Sequence, residues 1–114
     1  MNYDNLTDDG IIQTLNNGNV CILSVAKGNI PYCVPMYYTY ELKDNIIYIK
    51  LKLSSSSKQL EYVKNNSNVC LLFDSKSYDT LNTVIIKGEA KLIEDDSSKM
   101  MVIKAKEVTG RSYE

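Results

Sequence analysis

The stretch that decides the fold is residues 19–42, which read NVCILSVAKGNIPYCVPMYYTYEL. Residues 19–27 are apolar on both faces of an extended chain, and Gly28-Asn29 supplies the tight turn that follows them. Residues 30–42 then alternate, because every second side chain is apolar or aromatic, as on one face of a strand. The stretch therefore predicts two antiparallel strands joined by a short turn.

Three further stretches outside this hairpin have the composition of strands, namely residues 46–53, 68–74 and 82–94. A polar loop is expected between the last two, over residues 75–81. Antiparallel strands interrupted by short helices predict a mainly β protein of the α+β class, a small antiparallel β-barrel with flanking short helices. An open α+β sheet is the alternative that the pattern leaves.

Three segments combine capping residues with an apolar side, which is the pattern of short helices. The predicted helices begin at Asp8 behind a Thr7 cap, at a capping box of Ser56 and Gln59, and at a cap of Asp95 or Asp96, and they end at Asn17-Gly18, near Asn66 and near Val108. Residues 111–113 are expected to form a tail without regular structure.

The composition excludes several classes of function. A chain of 114 residues, 44% hydrophobic and 24% charged, has the make-up of a globular protein, so residues 1–114 are taken as a single domain. Its net charge of −1 gives no broad basic field, and no nucleic-acid partner is expected. The chain has no histidine and its three cysteines are widely spaced, which argues against zinc sites and histidine-based catalysis.

The sequence also indicates where the protein works. No apolar run approaches the roughly 20 residues that a membrane-spanning helix requires, so no membrane partner is expected. The first residues are acidic and lack the basic start of a secretion signal. The three cysteines lie in apolar, strand-like runs where a free thiol packs as a small hydrophobe. A cytoplasmic location is the resulting expectation.

Several predicted strands are apolar on both faces, although a strand of a solvated barrel alternates apolar and polar side chains. The two-faced segments are residues 20–23, 69–73 and 84–86. Short helices offer limited cover for the outer faces of these strands, and a second subunit is the simplest cover. We therefore expect a homodimer, and the alternative is that the protein's own helices cover these faces.

The serine tract at residues 54–57 is the most informative polar feature, because it leads into the second predicted helix. A helix N-terminus presents unpaired N–H groups, and Lys58 adds a cation in the first turn, so a phosphate would fit there. An ordinary capped helix with a solvated lysine is the alternative. Lys50 and Lys52 share a strand face with Tyr48, and this face could meet an anionic ligand or simply solvent.

The order of these segments resembles that of the pyridoxamine 5′-phosphate oxidase-like flavin-binding split barrels, and in particular the branch related to nitroimidazole-resistance proteins. The resemblance extends over about residues 5–108 and rests on the order of six short segments rather than on one motif. The segments are VCILSV (20–25), IPYCVPMYY (30–38), NIIYI (45–49), SKQL (57–60), NNSNVC (65–70) and VIIKGEAKLIED (84–95).

The resemblance implies a homodimer that binds FMN in two equivalent clefts between its subunits, where a small-molecule substrate is also possible. Carried over by position, Ser57 and Lys58 match residues that hold the FMN phosphate. The strand beside the flavin ring is matched by Val34, Pro35 and Met36, and the end of the next strand, which also borders the cofactor, is matched by Lys52, Leu53 and Ser54.

The chain departs from the family pattern at three points. Gln59 follows Lys58 where members commonly carry a second basic residue, no histidine ends the third strand, and the chain is expected to lack the further barrel strand that follows the last helix in the family. Two functions follow from the resemblance. The first is an FMN-dependent oxidoreductase, and the second is a non-catalytic dimeric module of the same fold that binds flavin or a small anion.

Overall fold

The computed structural model describes residues 2–54, 57–95 and 97–114, and it arranges them as eight strands and two helices. The elements in chain order are β1 (Tyr3–Asn5), α1 (Asp8–Asn17), β2 (Val20–Lys27), β3 (Ile30–Tyr37), β4 (Thr39–Lys43), β5 (Ile46–Leu53), α2 (Lys58–Asn65), β6 (Asn68–Ser77), β7 (Thr80–Glu94) and β8 (Lys99–Tyr113). Within these described ranges, neither helix is long and apolar enough to cross a membrane.

The strands join one antiparallel sheet in the order β3-β2-β6-β7-β8-β5-β4, and β1 pairs with the end of β8. The two edge strands, β3 and β4, are consecutive in the chain and are separated only by Tyr38. The sheet therefore curls until its edges meet, and the barrel is split where the chain passes from one edge to the other. The predicted small antiparallel split barrel with flanking short helices is confirmed.

Alternation along five of the strands, β2, β5, β6, β7 and β8, places one face of each in a single apolar core. Leu23, Ile49, Leu71, Ile86 and Ile103 come from five different strands, and all five side chains are fully buried. Removing each such side chain from water stabilises the fold by roughly 1.5–3 kcal/mol. Apolar residues of both helices join the same core, so the helices pack against the barrel's inner layer rather than over its outer face.

Tyr38 is the residue at which the edge segment changes its pairing partner. Its N–H donates to the carbonyl of Asn19 at 3.0 Å, and its hydroxyl donates to the carbonyl of Leu15 at 2.6 Å. Its ring meets Phe73 edge-on, with the ring centroids 4.8 Å apart. These contacts attach the strand switch to the end of α1. Residues 30–42, predicted as one strand, consequently form two.

A bulge in β8 changes which of its side chains face outward. Lys87 pairs with Glu107 and Gly88 pairs with Ala105, so Lys106 is left without a partner on β7. An extra residue in one strand reverses the in-and-out alternation beyond it. The half of β8 before the bulge and the half after it therefore present side chains of opposite parity to the core.

The final helix predicted to reach about Val108 is wrong, because this part of the chain belongs to strand β8. The expectation that a further barrel strand is missing is wrong for the same reason, since β8 is that strand. Met101 and Ile103 are fully buried, whereas Val102 between them is only half-buried and Lys104 is exposed. This alternation is the two-residue period of a strand. β8 pairs with β7 on one side and β5 on the other. Backbone pairing on both sides overrides the helix propensity of methionine, lysine and alanine.

Asp95, one of the two residues expected to cap that helix, closes the turn between β7 and β8 instead. Its Oδ1 accepts the backbone N–H groups of Ser97 at 2.9 Å and Ser98 at 2.7 Å, and these bonds lower the pKa of the Asp95 carboxyl. The same capping chemistry therefore serves a turn rather than a helix. The other expected cap, Asp96, lies outside the described residues.

The remaining boundaries differ from the sequence prediction in polar segments. The loop expected over residues 75–81 is mostly strand, since β6 and β7 extend into it and Ser77 pairs with Thr80. Residues 111–113 are not a free tail, because they pair with β1 and with β7. Polar composition concealed these strands, and pairing with neighbours supplies the backbone hydrogen bonds that hold them.

Both of the earlier predicted helices are confirmed. The Thr7 hydroxyl accepts the N–H of Gly10 at 3.1 Å and caps α1, as its position predicts. The second helix begins at Lys58, directly after Ser57. Ser56, the expected partner of Gln59 in a capping box, lies outside the described residues.

Candidate functional site

A cavity of about 360 Å³ lies at the split in the barrel, where the chain crosses from β3 to β4. We call it the seam cavity; its lining residues are Pro35, Met36, Tyr37, Tyr38, Thr39, Lys50, Lys52 and Met100. The strand switch at Tyr38 creates this cavity. The edge segment stops pairing with β2 there, and outward side chains of β5 and β8 form the opposite wall. Its volume lies in the range of small-molecule sites.

The seam cavity combines an apolar wall with a cationic one. Lys50 donates to Glu41 at 2.7 Å, and this contact lowers the pKa of the Glu41 carboxyl. Lys52 forms no ion pair with any described residue. On β8 its neighbour across the ladder is Met100, which adds a thioether to the floor. The cavity therefore suits a ligand with an apolar part and at least one electronegative edge.

The start of α2 reaches the same region through Met36. Gln59 is buried and its amide nitrogen lies 3.3 Å from the Met36 sulfur. The Lys58 ammonium lies 5.2 Å from the centroid of the Tyr32 ring, within range of a cation–π interaction. Met36 thus touches the first turn of α2 on one side and lines the seam cavity on the other.

Ser57, the N-cap of α2, carries a hydroxyl that makes no hydrogen bond with any described residue. The Oγ atom is buried, and it has no hydrogen-bond partner among the described residues. Its backbone N–H donates to the carbonyl of Ser54 at 3.3 Å. A buried hydroxyl without a partner costs free energy, and a bound acceptor at the helix N-terminus would relieve this cost. The residues present therefore fit a phosphate-bearing group.

The structure brings most of the sequence-predicted site residues to one region. Pro35, Met36 and Lys52 line the seam cavity, and Ser57 and Lys58 stand at the adjoining helix start.

The other three predicted residues, Val34, Leu53 and Ser54, neither line the cavity nor belong to the first turn of α2. Val34 is half-buried and packs against the core, and Leu53 is only 9% exposed within it. Ser54 is exposed and follows the last residue of β5. Leu53 and Val34 therefore lie behind the site rather than on its surface.

Sequence reasoning did not include two of the cavity residues, Thr39 and Met100. Met100 was hidden because its segment was predicted to be a helix. The signal that could have found it is the strand-like alternation of Met100, Val102 and Lys104 against the buried Met101 and Ile103. Thr39 is found only once the strand switch beside it is known, since it lies directly beyond that switch.

The side chains near the site offer little acid–base chemistry of their own. Burial raises the pKa of the Cys21 thiol to about 12, and it raises the pKa of the Tyr38 phenol to about 12 as well. Both groups therefore stay protonated at neutral pH. Within the described ranges, no cluster of three or more possible metal ligands occurs. The arrangement can bind and orient a ligand, and the chemistry would be that of the bound group.

An apolar row crosses the outer face of the sheet next to the seam cavity. The ladder pairs Pro35 with Ile22, Ile22 with Leu72, and Leu72 with Ile85, which places these four side chains side by side on four neighbouring strands. Leu72 is 39% exposed, so neither helix covers it. We call these four residues the outer apolar row, and they account for the two-faced strands noted in the sequence.

Comparison with known proteins gives a family match along nearly the whole chain. A model of the pyridoxamine 5′-phosphate oxidase family matches residues 9–112. No curated protein sequence matches the chain.

Solved structures with the same fold include two proteins described as FAD-binding. An FAD-binding protein from Mesorhizobium loti is 21% identical, with 100% of both chains covered and a TM-score of 0.80. An FAD-binding protein from Mycobacterium smegmatis is 16% identical, with 99% of this chain and 100% of that chain covered and a TM-score of 0.80. A candidate 5-nitroimidazole antibiotic resistance protein from Bacteroides thetaiotaomicron is 18% identical, with 99% of this chain and 92% of that chain covered and a TM-score of 0.79.

Proposed function

We propose, from the premise that this chain belongs to the pyridoxamine 5′-phosphate oxidase family, that it binds FMN and acts as a flavin-dependent oxidoreductase. The observation that carries the proposal is the meeting of the seam cavity and the start of α2 at Met36. A cavity with an apolar wall adjoins a helix N-terminus there, and these are the two environments that a flavin ring and its phosphate require.

The phosphate end is assigned to the first turn of α2. The Ser57 hydroxyl, which has no partner within the described part of the chain, would donate to a phosphate oxygen, and Lys58 would add a charge-assisted contact. Gln59 contributes no charge and is held against Met36, so a single lysine supplies the cation of this turn.

The ring end is assigned to the seam cavity. Pro35 and Met36 offer an apolar surface for the flat ring, and Lys52 can approach its electronegative edge from β5. Bound flavin supplies the redox chemistry, and the residues of this chain bind it, orient it and exclude water from one face. The scarcity of acid–base groups around the cavity is compatible with this division of labour.

A non-catalytic dimeric module that binds flavin or a small anion is the second candidate. It is favoured by the single cation in the first turn of α2 and by the high pKa values of Cys21 and Tyr38, which leave no proton donor poised near neutrality among them. Photoreduction of the flavin-loaded protein followed by exposure to an electron acceptor separates the two. Turnover supports the oxidoreductase, whereas stable binding without turnover of any acceptor supports the module.

The test of the cofactor site is a titration of the flavin-free protein with FMN, FAD and riboflavin, followed by flavin fluorescence. We expect FMN to bind with micromolar or tighter affinity, and Lys58→Ala to weaken it by about ten-fold, since one charge-assisted phosphate contact is worth about 1.4 kcal/mol or more.

Lys64→Ala is the matched control, because Lys64 lies on the same helix and is exposed, with Glu94 3.9 Å away. It should leave FMN affinity within about two-fold. Riboflavin lacks the phosphate, so Lys58→Ala should not change its affinity. Equal losses for FMN and riboflavin would remove Lys58 from the phosphate site, and tighter binding of FAD than of FMN would make FAD the cofactor.

The homodimer is part of the same proposal, with a second copy of this chain as the occupant of the outer apolar row. Light scattering should give a dimer for the wild type and a monomer for Leu72→Lys, because a buried unpaired charge destabilises an interface. Leu42→Lys is the control, since Leu42 is 54% exposed on β4 and lies outside the row. A dimer that survives Leu72→Lys would contradict this assignment.

A further inference from the structure

A second set of outward side chains covers β5, β8 and β7 in three rows of three. Ladder pairing defines the rows as Lys52–Met100–Ile93, Lys50–Val102–Lys91 and Tyr48–Lys104–Glu89. We call these nine residues the lysine face. The first two rows begin at Lys52 and Lys50, which also line the seam cavity, so the face continues directly from the proposed flavin site.

The lysine face contains a cavity of its own, of about 500 Å³. This lysine cavity is lined by Tyr48, Glu89, Ala90, Lys91, Val102, Lys104 and Lys106. Tyr48 and Val102 are half-buried and form its floor, whereas the lysines are exposed around it. Because Lys50 and Val102 are ladder partners, the two cavities adjoin along one row of the sheet.

Positive charge exceeds negative charge on the lysine face. Lys50 is neutralised by Glu41 and Lys106 by Glu89, each with nitrogen and oxygen 2.7 Å apart. Lys52, Lys91 and Lys104 form no ion pair with any described residue. This concentration contrasts with the net charge of −1 for the whole chain. Like charges on neighbouring strands repel one another. An anion bound between these lysines would replace that repulsion with attraction.

Protection of a sheet edge, the usual reason for alternating lysines, does not apply on β8. Exposed lysines commonly protect a free strand edge from pairing with another chain. Lys104 lies on β8, which is paired on both sides, with β7 and β5. Lys91 lies on β7, which is paired with β6 and β8. Edge protection therefore does not account for Lys91 and Lys104.

We propose that the lysine cavity is an anion subsite for the substrate of the proposed flavin site, and that the substrate is a small molecule with at least two negative charges. This inference rests on the proposed function, because the reacting part of the substrate would lie in the seam cavity. Tyr48 is four residues from Lys52, about 13 Å along an extended strand, and on the side away from Ser57. The subsite is therefore distinct from the flavin phosphate site.

The test uses inorganic pyrophosphate and citrate as probes, and amide NMR shifts of ¹⁵N-labelled protein as the readout, with and without FMN. We expect both anions to shift the amides of Lys91, Val102 and Lys104, and the double variant K91Q/K104Q to bind them about ten-fold more weakly. The control K43Q/K76Q removes the same charge from exposed lysines outside both cavities and should change affinity by less than about two-fold.

The outcomes separate this inference from the proposed function. Equal weakening in the two double variants, or shifts spread over the whole surface, would overturn the subsite, because both would indicate general charge attraction. FMN affinity should stay within about two-fold in K91Q/K104Q. Specific anion binding in a protein that fails to bind FMN would retain the anion site and refute the flavin assignment. Binding of pyrophosphate but not citrate would restrict the anion to a phosphorylated one.

Discussion

Replacement of Tyr38 by phenylalanine isolates the contact that holds the split of the barrel in place. The Tyr38 hydroxyl donates to the carbonyl of Leu15 at 2.6 Å, in the last turns of α1, and the whole residue is 8% exposed. Phenylalanine keeps the ring and hence the edge-on contact with Phe73. The substitution therefore removes one buried hydrogen bond and leaves the Leu15 carbonyl without that partner.

The expected loss of stability follows from that geometry. A buried acceptor deprived of its partner costs about 1–3 kcal/mol, so Tyr38→Phe should lower the free energy of unfolding by that amount. Tyr40→Phe is the matched control, since its hydroxyl donates to Asn16 in an exposed contact. It should cost less than about 0.5 kcal/mol. Urea unfolding followed by circular dichroism measures both, and the slope with denaturant should not change.

The pH dependence provides a second readout on the same residue. Burial raises the pKa of Tyr38 from 10.0 to about 12, so the folded state disfavours the phenolate. The contribution of this group to stability is therefore complete below pH 10 and falls as the pH rises from 10 toward 12. The stability difference between the wild type and Tyr38→Phe should shrink over that interval. A Tyr38→Phe loss no larger than that of Tyr40→Phe, with no pH dependence, would refute the role given to this hydroxyl.

Two glycine substitutions test the close approach at the bulge, and one thiol-labelling reaction tests the burial of the core. Gly88→Ala should cost more than about 2 kcal/mol in urea unfolding, because its Cβ would clash with the Lys104 carbonyl oxygen. Gly28→Ala should cost only about 1 kcal/mol, because no atom lies within 4 Å of its Cβ and only the φ of +58° opposes it. Equal costs would contradict the close approach at the bulge. An aromatic disulfide reagent should leave Cys21 unmodified in the native protein, because the thiol is 1% exposed and its pKa is about 12, and mass spectrometry of labelled peptides should find Cys21 only after denaturation.

The parts of the fold that sequence could predict are those in which one local rule acts without interruption. Residues 19–27 and 46–53 have clear strand patterns, and the turn at Asp44 and Asn45 follows from two residues that tolerate positive φ. In the structure these two residues have φ values of 53° and 63°, as a two-residue hairpin turn requires. No distant contact is needed to explain any of these elements.

The final strand could not be predicted because its pattern is broken by tertiary structure. The bulge at Lys106 reverses the alternation, so that Met101 and Ile103 face inward before it and Gly110 faces inward after it. No single period describes such a segment, and its lysine and methionine content favours a helix. Pairing with β5 and β7 decides the outcome, and pairing is not a property of the segment alone.

The candidate site divides in the same way. Ser57, Lys58 and Met36 could all be proposed from the resemblance, because a helix start and a position on one strand are local features. The seam cavity itself depends on the change of pairing at Tyr38, which brings Thr39 and Met100 together from distant parts of the chain. Periodicity does not encode that change, since the alternation continues through it.

The position of the seam cavity follows from the division of the barrel's outer surface. The outer apolar row covers β3, β2, β6 and β7, whereas the lysine face covers β7, β8 and β5, and the bulge at Gly88 marks where the two meet on β7 and β8. At the other meeting line the barrel is split, with Pro35 of the apolar row on one wall and Lys50 and Lys52 on the other. A flavin ring is apolar at one edge and rich in carbonyl and N–H groups at the other. A ring of that kind is best accommodated on a boundary, because either half of the surface alone would leave one of its edges unmatched.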